Sequence, residues 1–162
     1  MADKKALKLF VPHAVVDRVE VDFLLNALET QFANSKRFEI DFWQCRKDIL
    51  VGEKWHDSIQ AGLAASDLGL LMVSPAFLAS DYIGKHELPK FVGPEATKPL
   101  IPVGLKPVDF QRQDLKGLKD FQIFRREGKF FSELSSRMQK EDFAYRLYQA
   151  MEDRLAAVTA NV

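Results

Sequence analysis

The sequence predicts a flavodoxin-like, doubly wound α/β domain with a five-stranded parallel sheet and helices on both faces. Strand-like and helix-like segments alternate along the 162 residues, and alternation with short links is typical of right-handed crossovers onto a parallel sheet. The segment from Leu68 to Val73 is apolar without alternation. Such a run is expected for a parallel strand that is covered on both faces.

The first strand and first helix lie near the N-terminus. Leu7 to Val11 is a short apolar run stopped by Pro12, which indicates a buried strand that ends at a loop. Asp17 is a candidate N-cap for the helix that follows. The apolar residues expected on the buried face of this helix, spaced by three and four, include Val19, Phe23, Ala27 and Leu28.

A second strand, Phe38 to Trp43, is followed by a charged loop, Gln44 to Lys54, that contains Gly52. The next helix carries apolar residues at every fourth position. We therefore expect all three of them to lie in the core: Trp55, Ile59 and Leu63.

The C-terminal half adds two strands and one long helix. Pro99 to Leu105 is a short apolar run with proline near its edges, and Phe121 to Phe124 is a weaker run that would be the fifth strand. The last helix is predicted from apolar residues four positions apart, at Phe143, Leu147, Met151 and Leu155.

Composition and charge are those of an ordinary globular protein. Hydrophobic residues make up 47% of the chain, and 23 basic residues balance 23 acidic ones. A chain without cationic excess has no general attraction to nucleic acid or to anionic membranes. We expect one domain over residues 1–162, although the tail leaves open that this is the N-terminal part of a longer multidomain protein.

A cytoplasmic location is expected from the cysteine content and from the N-terminus. The single cysteine, Cys45, cannot form an intrachain disulfide, which suits a reducing compartment. The N-terminus lacks the features of a signal peptide, and no window approaches the roughly 20 apolar residues needed to span a bilayer.

Familiar catalytic signatures are absent from the sequence. It contains no Walker-type loop, no GxGxxG and no GxSxG, so phosphate cradling and serine hydrolysis of the usual kinds are unsupported. His13, His56 and His86 have no metal-ligand spacing with Cys45. The sequence therefore predicts neither a metal site nor a cofactor.

Glu87 is the strongest candidate for chemistry. It ends a stretch that contains Ser74, Ser80 and Tyr82 and that follows the third predicted strand. In a doubly wound sheet this stretch leaves the carboxyl edge, where ligands bind. A glutamate on a helix is most often a solvated surface residue, but hydroxyls, a flat ring and one carboxylate together could hold a sugar.

Nearly the whole chain resembles a bacterial Toll/interleukin-1 receptor (TIR) domain of the NAD-cleaving type. The resemblance is carried by ordered segments rather than by one motif. These are FVPHAVVD (residues 10–17), RKDILVGEKW (46–55), the helix end with Ile59, Leu63, Ser66 and Asp67, the serine-rich segment from Ser74 to Leu88, and PLIPV (99–103).

Three positions depart from the family pattern. Pro12 stands where the family usually has serine, and Cys45 falls about where the second strand usually ends in aspartate. Tyr82 stands where catalytic members carry tryptophan, and four residues rather than the usual three separate it from Glu87. Tyrosine still offers a flat face for stacking.

The resemblance implies an NAD glycohydrolase, with NAD as substrate and with ADP-ribose or a cyclic ADP-ribose as product. Glu87 would be the catalytic carboxylate, Tyr82 would pack on the substrate, and His13 would lie beside the nicotinamide. Ser74 and Ser80 are expected mainly to shape the turn. The further candidate substrate-binding residues are Pro12, Trp43, Cys45, Arg46 and Lys47.

The resemblance also implies self-association. The loop from Arg46 to Lys54 would pack against a neighbouring TIR domain and complete the site, with a fused or separate sensor as the trigger, in antiphage immunity. The alternative is a non-catalytic TIR–TIR scaffold. A receiver-type phosphoacceptor is disfavoured, because Asp17, Asp41 and Asp67 do not come together at the strand ends.

Overall fold

The computed structural model describes residues 3–44 and 51–160, and a parallel sheet lies at its centre. The sheet order is β2-β1-β3-β4, and every neighbouring pair is parallel. This topology confirms the flavodoxin-like, doubly wound prediction. The strands are β1 (Lys5–Phe10), β2 (Phe38–Trp43), β3 (Leu68–Val73) and β4 (Leu100–Gly104).

The predicted fifth strand, Phe121 to Phe124, is wrong, since the described residues form a sheet of four strands. Only Phe124 joins the sheet edge, through a single parallel bridge to Val103. Shortly afterwards the chain reverses at Glu127 and Gly128, whose φ angles are 51° and 78°. Too little extended chain therefore remains to pair along β4.

Helices cover both faces of the sheet. The long ones, α1 and α4, pack on one face, and α2 and α3 lie on the other. Their bounds are Arg18–Phe32 for α1, Trp55–Ala65 for α2, Pro75–Ala79 for α3 and Arg137–Thr159 for α4. Among the described residues, no helix combines the length and the apolar character that a bilayer crossing requires.

Strand β3 shows why an apolar run without alternation belongs in the middle of such a sheet. Leu70 and Met72 point into the core beneath α1 and α4, whereas Leu71 and Val73 point into the core beneath α2 and α3. All six residues of the strand are buried. Both faces need apolar side chains, so the usual polar positions disappear.

Helix α1 forms where the sequence predicts it, but its buried face differs from the predicted stripe. Val19 is 80% exposed, and Phe23 and Ala27 are only partly buried. Of the four predicted residues, only Leu28 is fully buried, as expected. The face that it shares with its apolar neighbours packs against the sheet. It consists of Val21, Leu24, Leu25, Leu28 and Phe32.

The last helix matches its prediction. Phe143, Leu147, Met151 and Leu155 are completely buried against the sheet. Ser136 begins the helix as N-cap, its Oγ accepting a hydrogen bond from the backbone N–H of Gln139 at 3.1 Å. The capped start and the four-residue period together fix this helix to one face of the domain.

Candidate active site

A cavity of about 420 Å³ opens where β1 and β2 end. Its floor includes Phe10 and Trp43, the last residues of those strands, and Glu87 lies in its wall. From β1 the chain winds to β2 on one side of the sheet and then returns to β3 and β4 on the other side. The switch point therefore lies between β1 and β3, and ligands of doubly wound sheets bind at such a point. The cavity therefore occupies the expected position for a site.

A larger cavity, about 620 Å³, lies along the outer edge of β4. It is the groove left beside the edge where the predicted fifth strand fails to extend. Its lining includes Phe121, Gln122 and Arg154 but none of the predicted site residues. Size alone does not identify a site, and the smaller cavity has both the position and the carboxylate.

Glu87 is held by an unusual helical segment. Residues Ile83–Glu87 form a π-helical turn, in which backbone hydrogen bonds span five residues instead of four. The turn follows Ser80, whose Oγ accepts a hydrogen bond from the Ile83 backbone N–H at 3.2 Å. Ile83 and Leu88 anchor it by burying their side chains in the core.

The π-helical turn explains how the lengthened spacing between Tyr82 and Glu87 is accommodated. In an α-helix, side chains four residues apart share a face, and a fifth residue would rotate the second side chain away. A π-helical turn takes up one extra residue per turn, so positions five apart come back to one face. Both Tyr82 and Glu87 line the cavity.

Burial controls the charge of Glu87. The residue is only 7% exposed, and desolvation raises the pKa of its carboxyl to about 7. Within residues 3–44 and 51–160, no side chain makes an ion pair or hydrogen bond with it. A carboxyl that changes charge near neutral pH at the wall of a cleft is a typical feature of functional sites.

His13 presents a neutral ring to the same cavity. Its Nδ1 donates a hydrogen bond to the backbone carbonyl of Val11 at 2.9 Å, which leaves Nε2 as an acceptor. Desolvation by burial lowers the pKa of His13, so the imidazole is uncharged at neutral pH. The ring is therefore available as a flat, hydrogen-bond-accepting surface.

An aromatic cluster forms the outer wall around Tyr82. The Tyr82 hydroxyl lies 2.8 Å from Nδ1 of His56. The Tyr82 ring lies 5.1 Å from the Trp55 ring and 4.7 Å from the His86 ring, measured between centroids. These contacts fix the orientation of the Tyr82 ring beside the cavity.

The prediction that Trp55 belongs to the core is wrong. Ile59 and Leu63 are buried as expected, but Trp55 is 58% exposed and lines the cavity. It is the first residue of α2, and no further turn of helix covers it. The four-residue period correctly identified the apolar face of α2, but the first residue on that face, Trp55, lies over the cavity and not in the core.

The Trp43 ring, which forms part of the cavity floor, is packed on both sides. It stacks on Phe10 with centroids 5.2 Å apart and planes 14° apart. Gly62 of α2 packs against the other side so closely that a Cβ there would lie 2.4 Å from the indole. The absence of a side chain at position 62 lets helix and indole approach, and the indole remains flat against the floor.

Of the predicted site residues Ser74, Ser80 and Pro12, only Ser80 is part of the cavity lining. Ser74 is completely buried away from the lining, and its Oγ caps α3 by accepting a hydrogen bond from the Phe77 N–H at 3.0 Å. Pro12 is buried behind the wall, where its carbonyl accepts a hydrogen bond from the Met72 N–H at 3.1 Å.

An ion pair between a buried carboxylate and a partly exposed lysine ties the first loop to two strands. The sequence predicts that Asp17 caps α1, but its side chain makes no capping hydrogen bond. Asp17 is completely buried instead, and its carboxylate accepts a hydrogen bond from the Ser74 hydroxyl. Nζ of Lys106 lies 2.6 Å from its other oxygen. Because Ser74 follows β3 and Lys106 follows β4, this network holds the loop that carries His13.

Three predicted site residues, Cys45, Arg46 and Lys47, lie outside the described residues, as does the first part of the loop from Arg46 to Lys54. The described end of that loop includes Val51, which is fully exposed. Helix α2 begins directly after this loop, at Trp55, and Trp55 lines the cavity.

The sequence did not identify several residues of the cavity. Arg18 was missed, although a cation at the first position of a helix is unfavourable for the helix dipole and could have been a signal. The small apolar residues of the rim carried no signal of function. The missed lining residues are Phe10, Val11, Ala14, Val15, Val16, Arg18, Trp55, Ile59 and Ile83.

No metal site is found in the part of the chain that the structure describes. There, no three His, Cys, Asp or Glu side chains come together in a way that could hold an ion. The cavity offers flat rings, one arginine and one carboxyl, a set suited to an organic ligand rather than to a metal.

The structure is a flavodoxin-like domain with a cavity at its switch point, and comparison with known families gives the assignment. A TIR domain family model matches residues 9–139. The match covers more than half of the chain and includes every residue of the cavity, so the chain belongs to the TIR domain family. A comparison with curated proteins finds no match.

Proposed function

We propose that this TIR domain cleaves NAD at the bond between nicotinamide and ribose, with Glu87 as the catalytic carboxylate. The observation that carries the proposal is the buried Glu87 carboxyl in the wall of a switch-point cavity, beside Tyr82 and His13. The TIR family includes NAD-cleaving enzymes, and the fold and site described above are consistent with that activity.

The chemistry needs little more than this carboxylate. Breaking the bond releases nicotinamide as a neutral molecule from a cationic pyridinium, so no strong acid has to protonate the leaving group. Positive charge grows on the ribose in an oxocarbenium-like transition state. An ionised Glu87 stabilises that charge in a site of low polarity, where electrostatic interactions are strong.

The surrounding residues would position the substrate. Tyr82 and His13 supply flat faces for rings, and the immobilised Trp43 provides a rigid floor. Water attack on the ribose gives ADP-ribose, whereas attack by the adenine of the same molecule gives a cyclic product. NAD is consumed in either case and is a substrate, not a cofactor.

The deciding experiment is incubation of the protein with NAD and chromatographic detection of nicotinamide and of ADP-ribose or its cyclic form. We expect Glu87→Gln to lower the rate at least about 100-fold, the scale of losing one electrostatic stabiliser. Glu95→Gln removes an exposed carboxylate and is expected to leave the rate unchanged. Equal rates for Glu87→Gln and wild type would refute the assignment.

We further propose that the domain works as an assembly, in the cytoplasm, in prokaryotic (antiphage) immunity, with a fused or separate sensor as trigger. The supporting observation is Val51, a fully exposed apolar side chain in the loop from Arg46 to Lys54. A second TIR domain packing on this loop would bury Val51 and complete the site.

Self-association is tested by measuring NAD cleavage against protein concentration. We expect the activity per molecule to rise with concentration, and Val51→Asp to remove that rise. Met138→Asp is the control, because Met138 is 80% exposed on α4, on the other side of the sheet. Constant activity per molecule over a wide concentration range contradicts this proposal.

The alternative is that the domain serves only as a TIR–TIR scaffold. Val51 favours this function as much as it favours an active assembly. The two are separated by the NAD incubation under conditions where the protein is shown by light scattering to be assembled. Assembly without nicotinamide release would favour the scaffold.

A further inference from the structure

Arg18 is a half-buried cation in the same cavity as Glu87, and it has no partner in the described part of the chain. Its Nε is fully buried without a hydrogen bond. Asp22 lies one helical turn further along α1, yet no ion pair joins it to Arg18. The guanidinium therefore meets the cavity with unused donors.

Local charges do not explain this arrangement. The carboxylate of Asp17, the residue before Arg18, is already engaged by Ser74 and Lys106. Arg18 is also the first residue of α1, where the helix dipole disfavours a cation. A buried guanidinium donor without a partner destabilises the folded protein further.

Other arginines of the chain are satisfied differently. Arg126 and Arg146 form ion pairs with Asp142 at 2.7 and 2.8 Å. Arg154, which is in no ion pair among the described residues, is exposed to water. Arg18 combines burial, lack of a partner and access to a cavity, the combination expected of a residue that binds an anionic ligand.

We propose that Arg18 binds a phosphate group of the substrate, and that the site therefore selects phosphorylated nicotinamide nucleosides over the free nucleoside. This inference rests on the proposed function. A guanidinium matches two phosphate oxygens with parallel hydrogen bonds. Glu87 would act at the ribose while Arg18 holds the adjacent phosphate, and this division fixes the direction in which the substrate lies.

The first experiment compares NAD with nicotinamide riboside as substrates for the full chain. We expect Arg18→Gln to raise the KM for NAD about 10- to 100-fold, the range for losing a charged hydrogen bond, with kcat within about threefold. The kcat/KM for the riboside, which has no phosphate, should stay within about twofold. Arg18→Lys should recover part of the loss.

Arg137→Gln is the matched control, because Arg137 is 84% exposed on α4. It should behave as wild type with both substrates. If Arg18→Gln weakens NAD and riboside cleavage by the same factor, or weakens neither, the inference is overturned. Circular dichroism of each variant checks that the fold is intact, and Arg18→Met is used if Arg18→Gln is misfolded.

The second experiment measures binding of inorganic pyrophosphate by calorimetry at fixed ionic strength. Wild type and Glu87→Gln should bind it, and Arg18→Gln should bind at least about 10-fold more weakly. Arg18-dependent binding without any NAD cleavage would reject the proposed function and keep the anion site. Cleavage that depends on Glu87, with pyrophosphate binding absent or independent of Arg18, would reject the anion site alone.

Discussion

Tyr82 and Glu87 lie five residues apart and still face the same cavity, because the segment Ile83–Glu87 is wound as a π-helical turn. The one-residue departure from the TIR pattern is therefore taken up by the backbone at the point where it occurs. This relation leads to the first prediction.

Deleting Gly84 should convert the π-helical turn to an α-helical one and keep the site. Gly84 is exposed, and the space around its Cα is open. Tyr82 and Glu87 would then be four positions apart, which is the α-helical spacing for a shared face. We expect NAD cleavage within about tenfold of wild type.

Inserting an alanine after Gly84 is the opposite length change to the Gly84 deletion. The added residue turns Glu87 away from Tyr82, so cleavage should fall to the level of Glu87→Gln. The measurement is the rate of nicotinamide release by the two length variants. A deletion that is as inactive as the insertion would contradict the role assigned to the π-helical turn.

The stability of the protein should depend on the ionisation of Glu87. The folded-state pKa of about 7 lies above the ordinary glutamate value of 4.5, so the native state binds more protons than the unfolded state between these pH values. Stability contributed by this group is therefore highest below pH 4.5 and falls as the pH rises through 7, by about 3 kcal/mol.

The measurement is urea unfolding of wild type and Glu87→Gln at pH 4.5 and pH 8. The variant should be more stable than wild type at pH 8 by up to about 3 kcal/mol and similar to it at pH 4.5. Glu95→Gln, at an exposed position, should follow wild type at both pH values. A pH-independent difference would show that burial does not shift this carboxyl.

The activity should rise with pH as Glu87 ionises. For NAD cleavage, kcat/KM should increase with an apparent pKa near 7, because only the carboxylate stabilises the cationic ribose. In kcat the apparent pKa should be lower, since bound cationic nicotinamide favours the charged form. A rate profile that is flat from pH 5 to pH 8 is the contrary result.

Gly62→Ala should displace the indole that forms the cavity floor. The new Cβ would lie 2.4 Å from the Trp43 ring, so helix or ring has to move, at a loss of about 1–3 kcal/mol of stability. Gly84→Ala is the matched control, since it meets open space in another helical turn. Thermal unfolding and Trp fluorescence of both variants measure the effect.

The Asp17–Lys106 ion pair, which holds the first loop, should contribute strongly to the stability of the folded protein. Lys106→Met leaves the completely buried Asp17 carboxylate with Ser74 as its remaining partner and should reduce stability by about 3 kcal/mol. The double variant Asp17→Asn, Lys106→Met should recover part of the loss, because no buried charge remains. Urea unfolding measures both, and an equal loss in the double variant contradicts the pairing.

The Asp17–Lys106 ion pair should also make the stability of the protein fall at alkaline pH. A hydrogen bond from Lys106 to Asp17 raises the pKa of Lys106 above its ordinary 10.5. Its contribution to stability is complete below pH 10.5 and is lost as the pH rises through the folded-state value. Lys106→Met should lack this alkaline loss.

Much of the fold could be predicted from the sequence because its strongest patterns have a single structural solution. The apolar run of β3 fits only a strand covered on both faces, and the four-residue period of α4 fits only one buried helix face. The same order of segments placed Glu87 after a central strand, close to the sheet edge where ligands bind.

The remaining features depend on contacts between distant segments. The turn after Phe124 prevents a fifth strand, the start of α2 leaves Trp55 exposed over the cavity, and the Asp17 side chain pairs with Lys106 instead of capping α1. Periodicity reports which face of an element is apolar, but it does not report where that face ends or which charged group will meet another across the domain. The sequence by itself determined the parallel, doubly wound fold class and placed Glu87 after a central strand. The tertiary structure decided the cavity and the surroundings of Arg18, because each requires residues far apart in the chain to meet.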